Sequence, residues 1–260
     1  MKPPASIPAP EPEPRTRGRN RPQEVAETIK TWITARGLVP GDRLPQEHQL
    51  ITELDASKGT VREALKVLET QGLIRTRTGP GGGAFITEVE DDRTAALLAN
   101  HFFFKPVTIA DIYEMRIALE PVLARDIART ITPDQIAALH EKQSFYASAP
   151  ASIEEERRQR AAELEFHETL ASFSGNPLLG FACGFLARML KDLAVCRRIY
   201  EQPNPELRES GLSYQDRLIA ALESGDADAA HDVMREHMIH ARAMMLAQEA
   251  QIARAFLTPQ

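Results

Sequence analysis

The sequence predicts a mainly α-helical protein: three short helices and a β-hairpin, followed by an all-helical antiparallel bundle. Three observations predict it. Aromatic residues are few, one Trp, four Tyr and ten Phe in 260, while Ala, Leu, Arg and Glu are plentiful, a balance that leans toward helix. Between residues 22 and 87, short apolar-periodic stretches stop at glycines and two extended runs flank a Gly-rich turn. From about 92 to 250 no period-2 stretch appears, and every break in helical periodicity carries Pro or Gly.

In chain order, residues 1–20 are Pro-rich without an apolar period, so they form a tail with too little apolar surface to order itself. Its end carries Arg15, Arg17, Arg19 and, just beyond, Arg21. This run is either a solvated face or a source of extra phosphate contacts. Residues 21–88 form the first domain. Pro22 opens a helix with Val25, Ile29, Trp32 and Ile33 on its apolar side, closed by Gly37. Pro40-Gly41 is a turn. Residues 46–54 make a second helix carrying Leu50, Ile51 and Leu54. Ser57 stands where it caps a third, with Val61, Ala64, Leu65 and Leu68 on one face and Gly72 at its end. The runs 73–77 and 84–87, joined through Gly79-Pro80-Gly81-Gly82-Gly83, read as a hairpin. Three helices and a hairpin make a winged helix-turn-helix.

The second domain spans residues 92–250, with helices expected at 92–104, 108–130, 133–148, 152–174, 177–201, 205–224 and 226–250. Cys183 and Cys196 give neither a disulfide framework nor a Cys-rich zinc site. No apolar run approaches the roughly 18 residues of a membrane span, and the first residues carry Pro and charge where a signal peptide has an apolar stretch. These features imply a soluble, cytoplasmic protein with no membrane partner.

The formal charge of -6, from 31 basic against 37 acidic residues, argues weakly against a nucleic-acid partner until it is divided along the chain. Residues 1–14 sum to -1. Residues 15–87 hold 12 basic and 8 acidic groups, for +4; residues 88–260 hold 18 and 27, for -9. The small domain is basic and the helical one acidic.

A helix-turn-helix places the amino end of its second helix in the major groove, polar side out and apolar side behind. Ser57-Lys58-Gly59-Thr60-Val61-Arg62 meets that demand. Ser57, Lys58, Thr60 and Arg62 suit phosphates and base edges, and Gly59 permits close backbone approach. Arg62 suits either a guanine or a phosphate, and the sequence leaves that choice open. Gly79-x-Gly81-x-x-Ala84 superficially matches a dinucleotide fingerprint, but that motif must open a helix, whereas here Phe85-Ile86-Thr87 continues as strand.

In the helical domain, polar groups fall on apolar stripes laid out at about 100° per residue. Arg116 lies among Ile112, Met115, Leu119, Leu123 and Ile127. Glu163 and His167 lie one turn apart on the stripe of Leu170, Gln215 lies among Leu212, Leu218, Ile219 and Leu222, and His237 among Ala230, Val233, Ala241 and Met244. Buried charges must meet each other, water, a metal or a ligand. Glu120, one turn on, is a ready partner for Arg116. Together, four helices contributing polar groups imply a polar cavity.

The segments LPQEHQL (44–50), SKGTVREALKVLETQGLI (57–74) and GPGGGAFI (79–86) resemble the GntR family's winged helix-turn-helix. By that resemblance His48, Ser57, Lys58, Gly59, Thr60 and Arg62 contact operator DNA, and Gly81, Gly82 and Gly83 form the wing tip. His48 and Lys58 stand where arginine is usual, losing planar bidentate donors, and Gly59 replaces a larger residue. YEMRIALEP (113–121), ELEFHETLASFSGNPLL (163–179) and QDRLIAALESGDADAAHDVMREHM (215–238) resemble the FCD ligand-binding domain of the FadR subfamily.

That second resemblance implies an effector site of Arg116, His167, Gln215 and His237. It also implies a divalent metal (Zn, Ni or Mn-like) on Glu163, His167, Gln215 and His237, with a small carboxylate above it. Glu163 is longer than the usual Asp, and Gln215 replaces a His with a weak amide oxygen, which lowers affinity for transition metals. The expected protein is a homodimeric regulator, not an enzyme, whose affinity for double-stranded operator DNA responds to a small organic acid. The alternatives are a metal-sensing regulator without an organic effector and, more remotely, a helical metal-dependent hydrolase or lyase using Glu163 as base. The enzyme reading lacks a second acid or a partnered nucleophile and leaves the reading head unexplained.

Overall fold

Glycines end the helices where the periodicity stops. At Gly37, Gly72 and Gly225 the backbone enters the left-handed region (φ 61°, 81° and 68°). At Gly72 the Leu73 N–H reaches Leu68 O and the Gly72 N–H reaches Glu69 O, each at 3.0 Å. These paired bonds satisfy the last carbonyls of the helix. The computed structural model describes residues 21–192 and 204–257. The tail through Asn20, Cys196 and the end of the helix expected at 177–201 lie outside the described residues.

The first part contains α1 (Arg21–Ala35), α2 (Glu47–Glu53), α3 (Lys58–Thr70), β1 (Ile74–Arg77) and β2 (Gly83–Ile86). The strands pair antiparallel, Ile74 with Ile86 and Arg77 with Gly83, and Arg43 bridges to Phe85. Ile29, Leu44, Leu50, Val61, Ala64, Leu68, Ile74 and Ile86 form one core. The buried positions of α3 fall at its three- and four-residue spacings. Leu65, Trp32 and Ile33 pack at the core's margin, partly buried, and Arg36 covers the Trp32 ring at 3.6 Å. The turn after β1 needs glycine at 82, where a Cβ would lie 2.4 Å from the Arg77 carbonyl oxygen.

The remaining described elements are α4 (Asp91–Phe102), α5 (Ile109–Ala128), α6 (Pro133–Ser144), α7 (Ile153–Ser172), α8 (Pro177–Asp192), α9 (Pro205–Glu223) and α10 (Ala227–Leu257). The chain divides into two compact units between Thr94 and Ala95, within α4. The second unit is an all-helical bundle in which α5 packs on α10, α8 and α9, and α7 packs on α6 and α8. Threonines cap two of its helices. Thr108 accepts from the Asp111 N–H and Thr132 from the Gln135 N–H, and each N3 side chain bonds back to the cap, forming reciprocal capping boxes.

Two expectations require correction. The α5 stripe holds at Ile112, Arg116, Leu123 and Ile127, buried with Tyr113, Glu120 and Ala124, but not at Met115, which is 49% exposed, or at the partly buried Leu119. Met115 and Leu119 instead line an apolar groove of about 620 Å³ with Phe102, Phe181, Phe185 and Met189, roughly 100° around the helix from the buried face. Helix α6 ends at Ser144 rather than 148. There the chain turns through Phe145 and buries Tyr146.

Candidate functional site

In the bundle, α5 supplies Arg116 and Glu120, α7 supplies Glu163 and His167, α9 supplies Gln215 and α10 supplies His237. All but Glu163 are buried as whole residues. The i,i+4 spacing on α5 sets Arg116 Nε 2.5 Å from Glu120 Oε1, with Nη2 3.4 Å from Oε2. The same carboxylate reaches another helix: Glu120 Oε2 lies 2.8 Å from His167 Nδ1. His167 Nε2 in turn faces His237 Nε2 at 3.3 Å, with the two rings stacked. The result is one buried chain, Arg116–Glu120–His167–His237, across three helices.

The charges in this chain are strongly biased. Burial alone would raise the Glu120 carboxyl, but Arg116 and His167 outweigh it and hold it at about 2. Burial lowers His167 against the opposing pull of Glu120, and burial together with His167 and Arg116 lowers His237 well below the ordinary imidazole range. Both rings are therefore neutral at pH 7, and their tautomers follow from the contacts. His167 donates from Nδ1–H to the Glu120 carboxylate, so its Nε2 accepts. His237 then donates from Nε2–H, leaving its Nδ1 as a bare acceptor. That atom is buried and has no hydrogen-bond partner among the described residues.

A second group of contacts surrounds Gln215. The Tyr146 hydroxyl donates to Gln215 Oε1, so the amide nitrogen faces away from this bond. Gln215 Nε2 is also buried without a partner among the described residues. The Glu163 carboxylate abuts α9 at Gly211, where a Cβ would stand 2.5 Å from Oε1. Burial pushes Glu163 up to about 7, opposed by Arg160 and Arg116. Burial and the nearby Glu163 also raise the Tyr146 phenol. The site thus offers an unpaired donor and an unpaired acceptor beside a charge-balanced pair.

Of the four expected metal ligands, His167 and His237 stand together. The two Nε2 atoms have the separation, roughly 3.3 Å, that two nitrogen ligands subtend on a tetrahedral zinc. The third and fourth ligands are elsewhere: Glu163 is turned to Gly211 and Gln215 Oε1 is engaged by Tyr146. Among the described residues no group of three His, Cys, Asp or Glu is placed to hold an ion. Asp216 instead accepts from Gln143 Nε2 at 2.7 Å. The other histidines of the bundle have local surroundings: His140 pairs with Glu223, His231 with Asp232, and His240 lies by the Tyr214 ring.

In the first unit, Ser57 caps α3, accepting from the Thr60 N–H at 3.2 Å with its hydroxyl 2.8 Å from that of Thr60. Lys58, Gly59 and Arg62 are exposed along the first turns of α3, His48 is exposed on α2, and Gly81 and Gly82 lie in the turn between the strands. Arg62 is held by Glu47, whose two oxygens each lie 3.0 Å from its Nε. Sequence reasoning missed Glu47, Tyr146 and the reach of Glu120 to His167. Glu120 was legible only as the Arg116 partner, because contacts 15, 47 and 69 residues apart leave no local spacing signal.

Two family models match. "Bacterial regulatory proteins, gntR family" covers residues 22–86, and "FCD domain" covers residues 111–240. The HTH-type transcriptional repressor NanR of Salmonella schwarzengrund (strain CVM19633) is 28% identical over 224 residues, covering 82% of this chain and 80% of the relative. NanR of Salmonella typhimurium (strain LT2) is 27% identical, with coverages of 82% and 80%. A solved Streptococcus agalactiae GntR structure is 25% identical, covers 85% of this chain and 99% of its own, and superposes with a TM-score of 0.59. No helix among the described residues is long and apolar enough to cross a membrane. A basic winged helix-turn-helix followed by an FCD bundle makes this chain a member of the GntR family of bacterial regulatory proteins, of the FadR type: a DNA-binding transcription regulator and not an enzyme.

Proposed function

We propose that the chain binds double-stranded operator DNA as a homodimer, through α3 and the wing, with an affinity set by a small organic acid held in the FCD bundle. In this reading residues 21–88 are the reader and residues 92–250 the sensing and dimerising domain. Ser57, Lys58, Gly59, Thr60, Arg62 and His48 face the groove, and Gly81 and Gly82 let the wing approach the backbone. Dimerisation suits a helix-turn-helix reader, which takes two half-sites one helical turn apart.

The observation that carries the effector site is the pair of buried atoms without partners among the described residues, Gln215 Nε2 and, on the ring that meets His167, His237 Nδ1. Each costs about 1–3 kcal/mol while unpaired, so a ligand that satisfies both gains that energy on binding. Its carboxylate competes with Glu120 for Arg116, while Glu120 retains His167. In this reading the acid is held by protein groups, with His167 and His237 as its neutral imidazole neighbours.

Thermal unfolding against a panel of small carboxylic acids, with zinc, nickel and manganese alone as separate arms, identifies the class. Binding to a duplex selected from a random library supplies the second readout. One acid should raise the melting temperature and shift duplex affinity in the wild type and lose both effects in His237→Ala, which still binds the duplex. Because linkage is reciprocal, an acid and a duplex that bind together without mutual effect overturn this function. A shift in duplex affinity by metal alone replaces the acid with a metal as the signal.

A further inference from the structure

We propose that Glu47 is a positioning residue of the DNA-reading helix: it grips Arg62 by Nε so that the guanidinium reads a base edge rather than a phosphate. This rests on the reading of α3 as the helix that enters the major groove. Glu47 opens α2 and Arg62 lies in the second turn of α3. Both hydrogen bonds between them run from Nε, each 3.0 Å long. Among the described residues neither terminal nitrogen of Arg62 donates a hydrogen bond to protein. The Arg62 side chain is 58% exposed against 33% for Glu47, so the Nη edge is the end that meets solvent.

The two roles open to Arg62 make opposite demands. A phosphate contact draws on net charge, through the counterions it releases. A carboxylate 3.0 Å away cancels that charge and itself repels a phosphate. A base contact draws on direction, two parallel N–H groups aimed at guanine O6 and N7, and the Nη pair left open by Glu47 supplies them. The grip also fixes a side chain rich in rotamers before DNA arrives, which lowers the entropy cost of reading. Lys58, four residues earlier on α3, differs in both respects. It is exposed and has no acidic partner among the described residues, which suits a phosphate contact.

The test selects a randomised duplex library on the full-length wild-type protein and repeats the selection with Arg62→Ala, Glu47→Ala, Glu47→Asp and Glu47→Gln, each checked for folding by thermal unfolding. Arg62→Ala and Glu47→Ala should flatten preference at the same base position, by about 5- to 100-fold. Glu47→Asp, one methylene short, should do likewise if Glu47→Ala does not fold. Glu47→Gln should keep part of the preference, since its amide oxygen still accepts from Nε, and the double Ala variant should lose no more than either single one. Arg62→Ala should leave the slope of log affinity against log salt unchanged, whereas Lys58→Ala should reduce it by about 1.

Loss of preference in Arg62→Ala with full retention in Glu47→Ala or Glu47→Asp overturns the positioning role alone. Uniform weakening of all sequences by Arg62→Ala, with a slope reduced by about 1, makes Arg62 a phosphate contact and overturns the proposal while leaving α3 as the reading helix. Wild-type selection with an unchanged slope in Arg62→Ala takes Arg62 out of the interface and overturns the proposal.

Discussion

His167 and His237, 70 residues apart in the chain, face each other through their Nε2 atoms at 3.3 Å. The contact orders the buried site because Glu120 fixes the tautomer of the first ring and the first ring fixes that of the second. What lies at each end of this series determines its response to change: Arg116 at one end is charged and compensated, and His237 Nδ1 at the other is neutral and unpaired among the described residues.

Removing the central carboxylate should therefore unbalance the whole group. Glu120→Gln leaves Arg116 charged and buried without its ion-pair partner, and a loss of about 3–5 kcal/mol in unfolding free energy is expected. Chemical denaturation measures it. The double variant Arg116→Met with Glu120→Leu should recover much of the loss, since well-packed apolar residues replace a buried pair at little cost. A single variant as stable as the wild type would show that the pair lies in water.

Glu163 makes stability depend on pH. Its pKa is raised from 4.5 to about 7 by burial, so in the window between those values the unfolded chain has released a proton that the folded chain retains. This contribution is fully present below 4.5 and disappears as pH rises through 7. Glu163→Gln should flatten the fall in stability across that window, read as melting temperature against pH. An unchanged profile would place the carboxylate in solvent.

Metal removal should do little. Two imidazoles without a third ligand among the described residues bind zinc weakly, so dialysis against a chelator should change the melting temperature by no more than about 1 °C. Elemental analysis before and after dialysis checks the loading. A fall of several degrees that zinc restores would mean that Glu163 turns from Gly211 to complete a site.

The cap of α3 is open to a similar test. Ser57→Ala removes the acceptor for the Thr60 N–H and should cost about 1 kcal/mol. Ser57→Asp should retain the cap yet weaken duplex binding, because it adds a negative charge at the phosphate-facing end of the helix. Equal duplex affinity for Ser57→Asp and the wild type would place Ser57 away from the phosphates.

The helices, their glycine ends, the hairpin and the basic α3 terminus were legible because their signals are local. Val61, Ala64 and Leu68 share a face by spacing alone, Gly72 ends its helix by its own φ, and Arg116 meets Glu120 one turn away. The division into a basic reader and an acidic bundle was also written in the chain, once the net charge of -6 was separated by domain. The orientation of the α5 stripe was less legible. Met115 and Leu119 are as apolar as their neighbours, and only packing against α10, α8 and α9 decides which apolar side is buried.

By itself the sequence placed Arg116, His167, Gln215 and His237 on the apolar stripes of α5, α7, α9 and α10, though not the equally buried Gln159 and Arg160 of α7. Periodicity places a residue on a face, and Arg116, His167, Gln215 and His237 are all buried there. Only the tertiary structure decided what those residues do to one another. It set Glu120 against His167, turned Gln215 Oε1 to Tyr146, drew Glu163 to Gly211 and tied Glu47 to Arg62. The physical reason is range: a helical turn fixes neighbours three and four residues apart, whereas hydrogen bonds and ion pairs between helices depend on a packing that no local spacing encodes.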